Sequence, residues 1–237
     1  MTSETRVDLL RHGETAGGSR LRGGRCDDAL SQRGIEQLEA AVAAGSGWQV
    51  VVTSPLARCR SFAESFVGRS NCELRVDGRL REYDFGDWDG REFDELWREH
   101  GDDLAAFFGN PDSVTPPGGE TAEAFRSRVR EAWQELLSAH AGRRLLLIGH
   151  GGVLRQIVAD VLGVTGPVHA ALEWPHAAMS RVRVFDDPPN PRSQSLVWHG
   201  RVLPREGANE ESRRGAENAE HAEEENAEPP KTPNEGV

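Results

Sequence analysis

An α/β fold is what this sequence predicts, and three observations predict it. Short apolar runs rich in β-branched residues alternate with longer stretches whose apolar residues recur at helical spacing. Two of the runs, at 6–11 and 145–148, stop at a histidine flanked by glycine, which is how a buried strand delivers side chains to the edge of a sheet. At 237 residues the chain is long enough for one large α/β domain with a full core, without disulfides or metal to hold it.

The first strand is read over residues 6–11, inside the stretch VDLLRHGET from Val7 to Thr15. Thr15 to Asp28 (TAGGSRLRGGRCDD) is a loop whose glycines admit positive φ and a close approach of backbone to ligand. Arg20, Arg22 and Arg25 could ring an anionic pocket there or stand as scattered charge in solvent. From Ser31, Ile35, Leu38 and Val42 mark a helix that Gly45 to Gly47 ends. Gln49 to Thr53 (QVVVT) is the second strand. Ser54-Pro55 reads as a helix start, with Ser as cap and Pro at the first helical position. Cys59, Phe62, Ala63 and Phe66 share one face of that helix, and Arg58 lies near its N-terminus, where anions are favoured.

Glu73 to Val76 is a third strand, followed by LREYDFGDWDG (Leu80 to Gly90), a loop that mixes acids, aromatics and glycines. Phe85 and Trp88 could give a neighbouring carboxylate low-dielectric surroundings, and Glu82, Asp84, Asp87 and Asp89 are the acids from which one would be drawn. A helix over Phe93 to Phe108 buries Phe93, Leu96, Leu104 and Phe107; PPGG at 116–119 breaks the chain; Phe125, Val129, Trp133 and Leu137 then mark a long amphipathic helix. Leu145 to Ile148 is the most apolar strand, ends in Gly149, His150, Gly151 and Gly152, and leads into the helix VLRQIVADVLG. Met179 to Phe185 and Leu196 to Leu203 supply two more strands. In open α/β sheets ligands bind beyond the carboxyl ends of strands, so His12 and His150 would face one crevice if their strands are neighbours.

Composition narrows the function classes. Cys26, Cys59 and Cys72 are odd in number and lack CxxC spacing, so neither a disulfide framework nor a zinc site is indicated, and a reducing cytoplasm is expected. No HExxH, HxH or clustered-Asp pattern calls for a metal, and no cofactor motif is present. The start of the chain has no signal-peptide pattern, and no segment supplies about 18 uninterrupted apolar residues, so no membrane association is expected. Ten acidic against three basic residues from Glu206 onward carry −7 of the net charge of −11. That leaves a mildly acidic body, 1–205, with no broad nucleic-acid face, and an acidic tail, 206–237, expected to be disordered. The other histidines, at 100, 140, 169, 176, 199 and 221, read as structural or exposed.

Five stretches in order, LLRHGET, SPLARC, LREYDFGDWDG, PPGGE and LLLIGHGG, together resemble the histidine phosphatase superfamily, the phosphoglycerate mutase-like or two-histidine phosphatases. The resemblance implies a three-layer α/β/α sandwich on a mostly parallel sheet and a reaction through a phosphohistidine. It implies His12 as nucleophile, Arg11 and Arg58 as ligands of the phosphoryl oxygens with Gly151 beside them, and His150, a cation or hydrogen-bond donor, as stabiliser of the transferring group. Glu82 becomes the proton donor, with Arg22 and Arg25 toward the substrate. The partner implied is a small phosphorylated metabolite, handled without metal by a monomer or homodimer. Many relatives carry asparagine where this chain has Gly18, so that phosphate contact is missing. The loop GGSRLRGGRCDDALSQRG, with SPLARCRSFAE and LREYDFGDWDGR, is similar to the α-ribazole phosphatases of the cobalamin pathway. α-Ribazole 5'-phosphate is therefore the expected substrate, against a phosphoglycerate mutase, a sugar-phosphate phosphatase or a non-catalytic phosphate-binding module.

Overall fold

The computed structural model describes residues 4–43, 45, 47–165, 171–187 and 190–202. The tail expected over 206–237, together with His169 and His221, lies outside the described residues. Strands β1 (Glu4–Arg11), β2 (Val50–Thr53), β3 (Glu73–Val76) and β4 (Arg144–Gly149) alternate with helices α1 (Gln32–Ala43), α2 (Ala57–Val67), α3 (Phe93–Gly109) and α4 (Ala122–Ala139). Helix α5 (Gly151–Leu162) and strands β5 (Met179–Asp187) and β6 (Asn190–Arg201) follow. They form one six-stranded sheet in the order β3-β2-β4-β1-β5-β6. The β3, β2, β4 and β1 ladder is parallel throughout, whereas β5 and β6 run antiparallel at one edge.

Alternation along the central strands builds two cores. Val7, Leu9, Val50, Val52, Leu145 and Leu147 point to one face, where they meet Leu96 and Phe107 of α3, Phe125 and Val129 of α4, and Val153 and Ile157 of α5. Leu10, Val51, Leu146 and Ile148 point to the other, against Leu38 and Val42 of α1 and Phe62 and Ala63 of α2. A sheet buried on both faces needs a helical layer on each, which is the expected sandwich. Asp8, fully buried on the second face, is paired with Arg181 at 2.6 Å and accepts the Trp48 indole N–H at 2.8 Å.

Two local expectations change. Ile35 is half exposed, because the buried stripe of α1 runs through Gly34, Leu38, Ala41 and Val42. Ser54-Pro55 does not cap α2: the helix starts at Ala57 and its cap position is Leu56. Ser54 has been drawn into the site described next. Among the described residues no helix is long and apolar enough to cross a membrane.

Candidate active site

Strands β1 and β4 run side by side, with Arg11 opposite Gly149. The next residue of each is a histidine, so both imidazoles leave the sheet at the same edge. The His12 N–H donates to the Gly149 carbonyl at 2.9 Å, and the two ring centroids stand 5.4 Å apart at 61°.

His12 is 5% exposed, and its Nδ1 lies 2.8 Å from the Gly13 carbonyl. A carbonyl only accepts, so Nδ1 carries the proton and Nε2 keeps its lone pair. Burial, then the charges of Arg58 and Arg11, hold the imidazole well below the usual histidine range. The ring is neutral, with one nucleophilic nitrogen.

His150 is fully buried between Arg58 and Ser54. Arg58 Nε can only donate and sits 3.2 Å from His150 Nδ1, which therefore accepts. The remaining proton is on Nε2, which donates to Ser54 Oγ at 2.7 Å. Burial and the Arg58 charge push this histidine far below its usual range as well. Of the two forms expected of His150, cation or hydrogen-bond donor, this geometry favours the donor, because a second positive charge next to a buried guanidinium is costly. Cys59 stands beside it as an inert thiol, pushed up to about 12 by burial.

The two expected arginines converge here. Arg58, fully buried at the second position of α2, also donates to the carbonyls of Cys26, at 2.6 Å, and Gly23, at 2.9 Å. Arg11 donates to the Trp174 carbonyl and to Nε2 of His176 at 3.3 Å, while its buried Nε has no hydrogen-bond partner among the described residues. Burial lowers its pKa to about 10, with Glu82 opposing the shift. An arginine half engaged by the protein keeps a donor in reserve for an anion.

Of the four acids, Glu82 is the one that faces this edge. Its Oε2 accepts the Gly152 N–H at 2.9 Å and its Oε1 accepts the Tyr83 N–H at 3.0 Å. A Cβ on Gly152 would collide with that carboxylate, so the glycine is what lets it dock on the first turn of α5. Asp84 is held by Arg25 and the Gly86 N–H, Asp89 by the N–H groups of Gly23, Arg25 and Cys26, and Asp87 is exposed. Gly151 lies between the two sets: a Cβ there would be 3.6 Å from Arg11 Nε and 2.9 Å from Arg155 Nη1.

The loop arginines are placed differently from expectation. Arg22 pairs with Asp28 at 2.7 Å and donates to the carbonyls of Ala16 and Gly18; Arg25 pairs with Asp84 at 2.8 Å; Arg20 pairs with Glu92. Their charge is spent on holding the loop, with Arg22 reaching the site only as a long-range influence on His176. Gly18 has φ +74° and open space where a side chain would be, so the chain keeps a turn there instead of a phosphate donor.

Sequence reasoning missed His176, Arg155 and the role of Ser54. The His176 ring centroid lies 5.4 Å from that of His12, and burial followed by the Arg11 charge lowers its pKa to about 4. The signal was Trp174-Pro175-His176 just ahead of β5. Because β5 runs antiparallel, its beginning lies at the edge where β1 and β4 end. Arg155, one turn into α5, donates to the Leu172 carbonyl at 2.6 Å and is coupled to Glu82.

A separate cleft of about 460 Å³ is lined by Arg75, Arg79 and Arg143, all already paired with Glu73, Asp77 or Glu135. Among the described residues no group of three or more His, Cys, Asp or Glu is placed to hold a metal ion.

A neutral imidazole with a free nitrogen, two arginines and a carboxylate at the edge of a parallel sheet define an enzyme site suited to a phosphorylated substrate. Residues 7–195 match the model of the histidine phosphatase superfamily (branch 1), and the chain belongs to that superfamily of enzymes. A Salmonella newport protein named "Probable phosphoglycerate mutase GpmB" is 30% identical over 179 residues, 74% of this chain and 83% of that protein. The solved mycobacterial glucosyl-3-phosphoglycerate phosphatase is 26% identical with a TM-score of 0.73, covering 83% of this chain and 99% of that one. The α-ribazole phosphatase from Shigella flexneri superposes with a TM-score of 0.72 at 24% identity, over 84% of this chain and 97% of that one, a likeness of fold.

Proposed function

We propose that this chain is a metal-independent phosphomonoesterase working through a phosphohistidine at His12, on a small phosphorylated metabolite with α-ribazole 5'-phosphate as the first candidate. The observation that carries the reading is the His12 tautomer: Nδ1–H is tied to the Gly13 carbonyl, so the Nε2 lone pair is free beside Arg11. Nε2 attacks phosphorus, the ester P–O bond breaks with its electron pair going to the leaving oxygen, and that oxygen takes a proton from the Glu82 carboxyl. Water then attacks phosphorus, gives its proton to Glu82, and the P–N bond returns its pair to Nε2. Arg11 and Arg58 offset the charge on the equatorial oxygens, and His150, through its Nε2–H, serves as a neutral donor once Ser54 yields the bond. The similarity to an α-ribazole phosphatase lies in fold and loop motifs, which support the candidate substrate without reaching its chemistry.

Purified protein should release phosphate from p-nitrophenyl phosphate in EDTA, and His12→Ala should abolish that release. Normal turnover by the variant would contradict the reading. A panel containing α-ribazole 5'-phosphate, sugar phosphates and phosphoglycerates ranks the substrates. A mutase is the second reading, favoured by the name of the Salmonella relative. Fast interconversion of 2- and 3-phosphoglycerate with little free phosphate would select it.

A further inference from the structure

Next to Glu82 the protein has a cavity of about 260 Å³ that the phosphoryl chemistry does not use. Its walls are Tyr83 and Phe85 from the loop after β3, Phe107, Phe108 and Pro111 from the end of α3, and Gly152 and Arg155 from α5. Glu82 and Gly152 belong to both spaces, since the Gly152 N–H holds the carboxylate read above as the donor to the leaving oxygen. The cavity is therefore within reach of the groups that follow that oxygen in a substrate.

The walls are stiff and apolar. Tyr83 and Phe85 stack at 5.2 Å, and Phe107 meets them edge-on at 5.1 and 5.6 Å. The Tyr83 hydroxyl is turned away, donating to the Glu120 carbonyl at 2.9 Å. Polar contact with a guest is left to Glu82 and Arg155, and Arg155 already gives one donor to Leu172. A sugar carries a hydroxyl on nearly every carbon, and most of these would be buried without partners. A flat ring meets ring faces and edges instead, and an apolar cavity of about 150 Å³ already holds benzene. A cavity of about 260 Å³ has room for one substituted ring or two fused rings.

We infer that this cavity is the leaving-group site and that it selects phosphomonoesters whose alcohol carries an aromatic or otherwise flat apolar group, as the ring system of α-ribazole is, over phosphates of simple sugars and phosphoglycerates. The inference rests on the phosphomonoesterase reading above and adds the class of substrate to it.

The test compares esters with equally poor leaving groups, all primary alkoxides: 2-(2-naphthyl)ethyl phosphate, glucose 6-phosphate and 3-phosphoglycerate. The naphthyl ester should have the highest kcat/KM by about tenfold or more. Phe108→Ala, which opens a half-buried wall, should cut that preference by about tenfold, and Trp97→Ala, exposed on the same helix, should leave it unchanged. A wild-type enzyme that prefers glucose 6-phosphate or 3-phosphoglycerate, or a preference untouched by Phe108→Ala, overturns the inference. Should no ester be hydrolysed, the phosphomonoesterase reading fails by itself. Calorimetric binding of the three esters to the wild-type protein then decides the cavity's role: about tenfold tighter naphthyl binding supports it, and equal or weaker binding overturns it.

Discussion

Arg58 and His150 meet through one buried hydrogen bond, Nε to Nδ1 at 3.2 Å, which fixes the orientation of the second histidine by leaving its proton on Nε2. Replacing Arg58 by alanine strands that nitrogen and the carbonyls of Gly23 and Cys26. The variant should lose about 3 kcal/mol of stability, readable by urea titration, and the His150 imidazole should titrate at higher pH by NMR. Arg58→Lys should not restore the stability, because an ammonium cannot reproduce three donors in a planar fork, although its charge should keep the His150 titration low.

Glu82→Gln separates proton transfer from positioning. The amide still accepts the Gly152 N–H but carries no acidic proton. The kcat/KM for alkyl phosphates, which covers steps up to departure of the leaving group, should fall by about 10² to 10⁴, while that for p-nitrophenyl phosphate, whose leaving group needs no proton, should fall much less. Equal losses on both substrates would remove Glu82 from the acid role. Gly152→Ala, which drives a Cβ into the same carboxylate, should show a similar pattern by displacing the carboxyl group with its chemistry intact.

The buried histidines set a pH window for stability. In the unfolded chain each protonates near 6.5, whereas in the fold His12 and His150 are held well below that by burial and by Arg58. Below pH 6.5 the unfolded state binds more protons, so stability is complete above that pH and declines as pH falls. The slope is up to ~1.4 kcal/mol per unit for each fully buried ring until it too protonates. His176, lowered to about 4, adds in the same direction between 6.5 and about 4. Thermal unfolding should therefore shift down steadily from pH 7 to pH 5. Over pH 7.5 to 6 the nucleophile stays neutral, so kcat/KM should show no acid limb near 6.5.

The fold was readable because its signals are short-range: apolar runs of four to six residues, helical spacing between them, and turns at glycine or proline. The meeting of His12 and His150 was readable as a condition, since it depended on β1 and β4 being neighbours, and they are. Three things depend on what packs beside what, and those stayed hidden. Ser54 before Pro55 has the look of a cap, yet His150 claims its hydroxyl from 96 positions away. His176 enters because β5 reverses direction, which spacing alone does not announce. Arg22 and Arg25 looked like substrate ligands until Asp28 and Asp84 took their charge.

His176 gives that hidden part a test of its own. Its Nε2 accepts from Arg11, so His176→Ala frees one donor of the guanidinium and removes a ring beside the nucleophile. Substrate binding should weaken about tenfold through KM, with kcat less affected, if the histidine positions Arg11. His176→Gln, which keeps an acceptor, should recover most of the loss. A fall confined to kcat would instead place the ring in the chemistry.

The most direct test of the account is to catch the phosphoryl group on the protein. Rapid quenching in base after mixing with substrate should trap an acid-labile, base-stable phosphoenzyme in the wild type, and mass spectrometry should place it on His12. Glu82→Gln should still phosphorylate from p-nitrophenyl phosphate and should accumulate more of it, having lost the group that activates water. Steady turnover with no trapped adduct, or an adduct on any residue other than His12, would contradict the central claim.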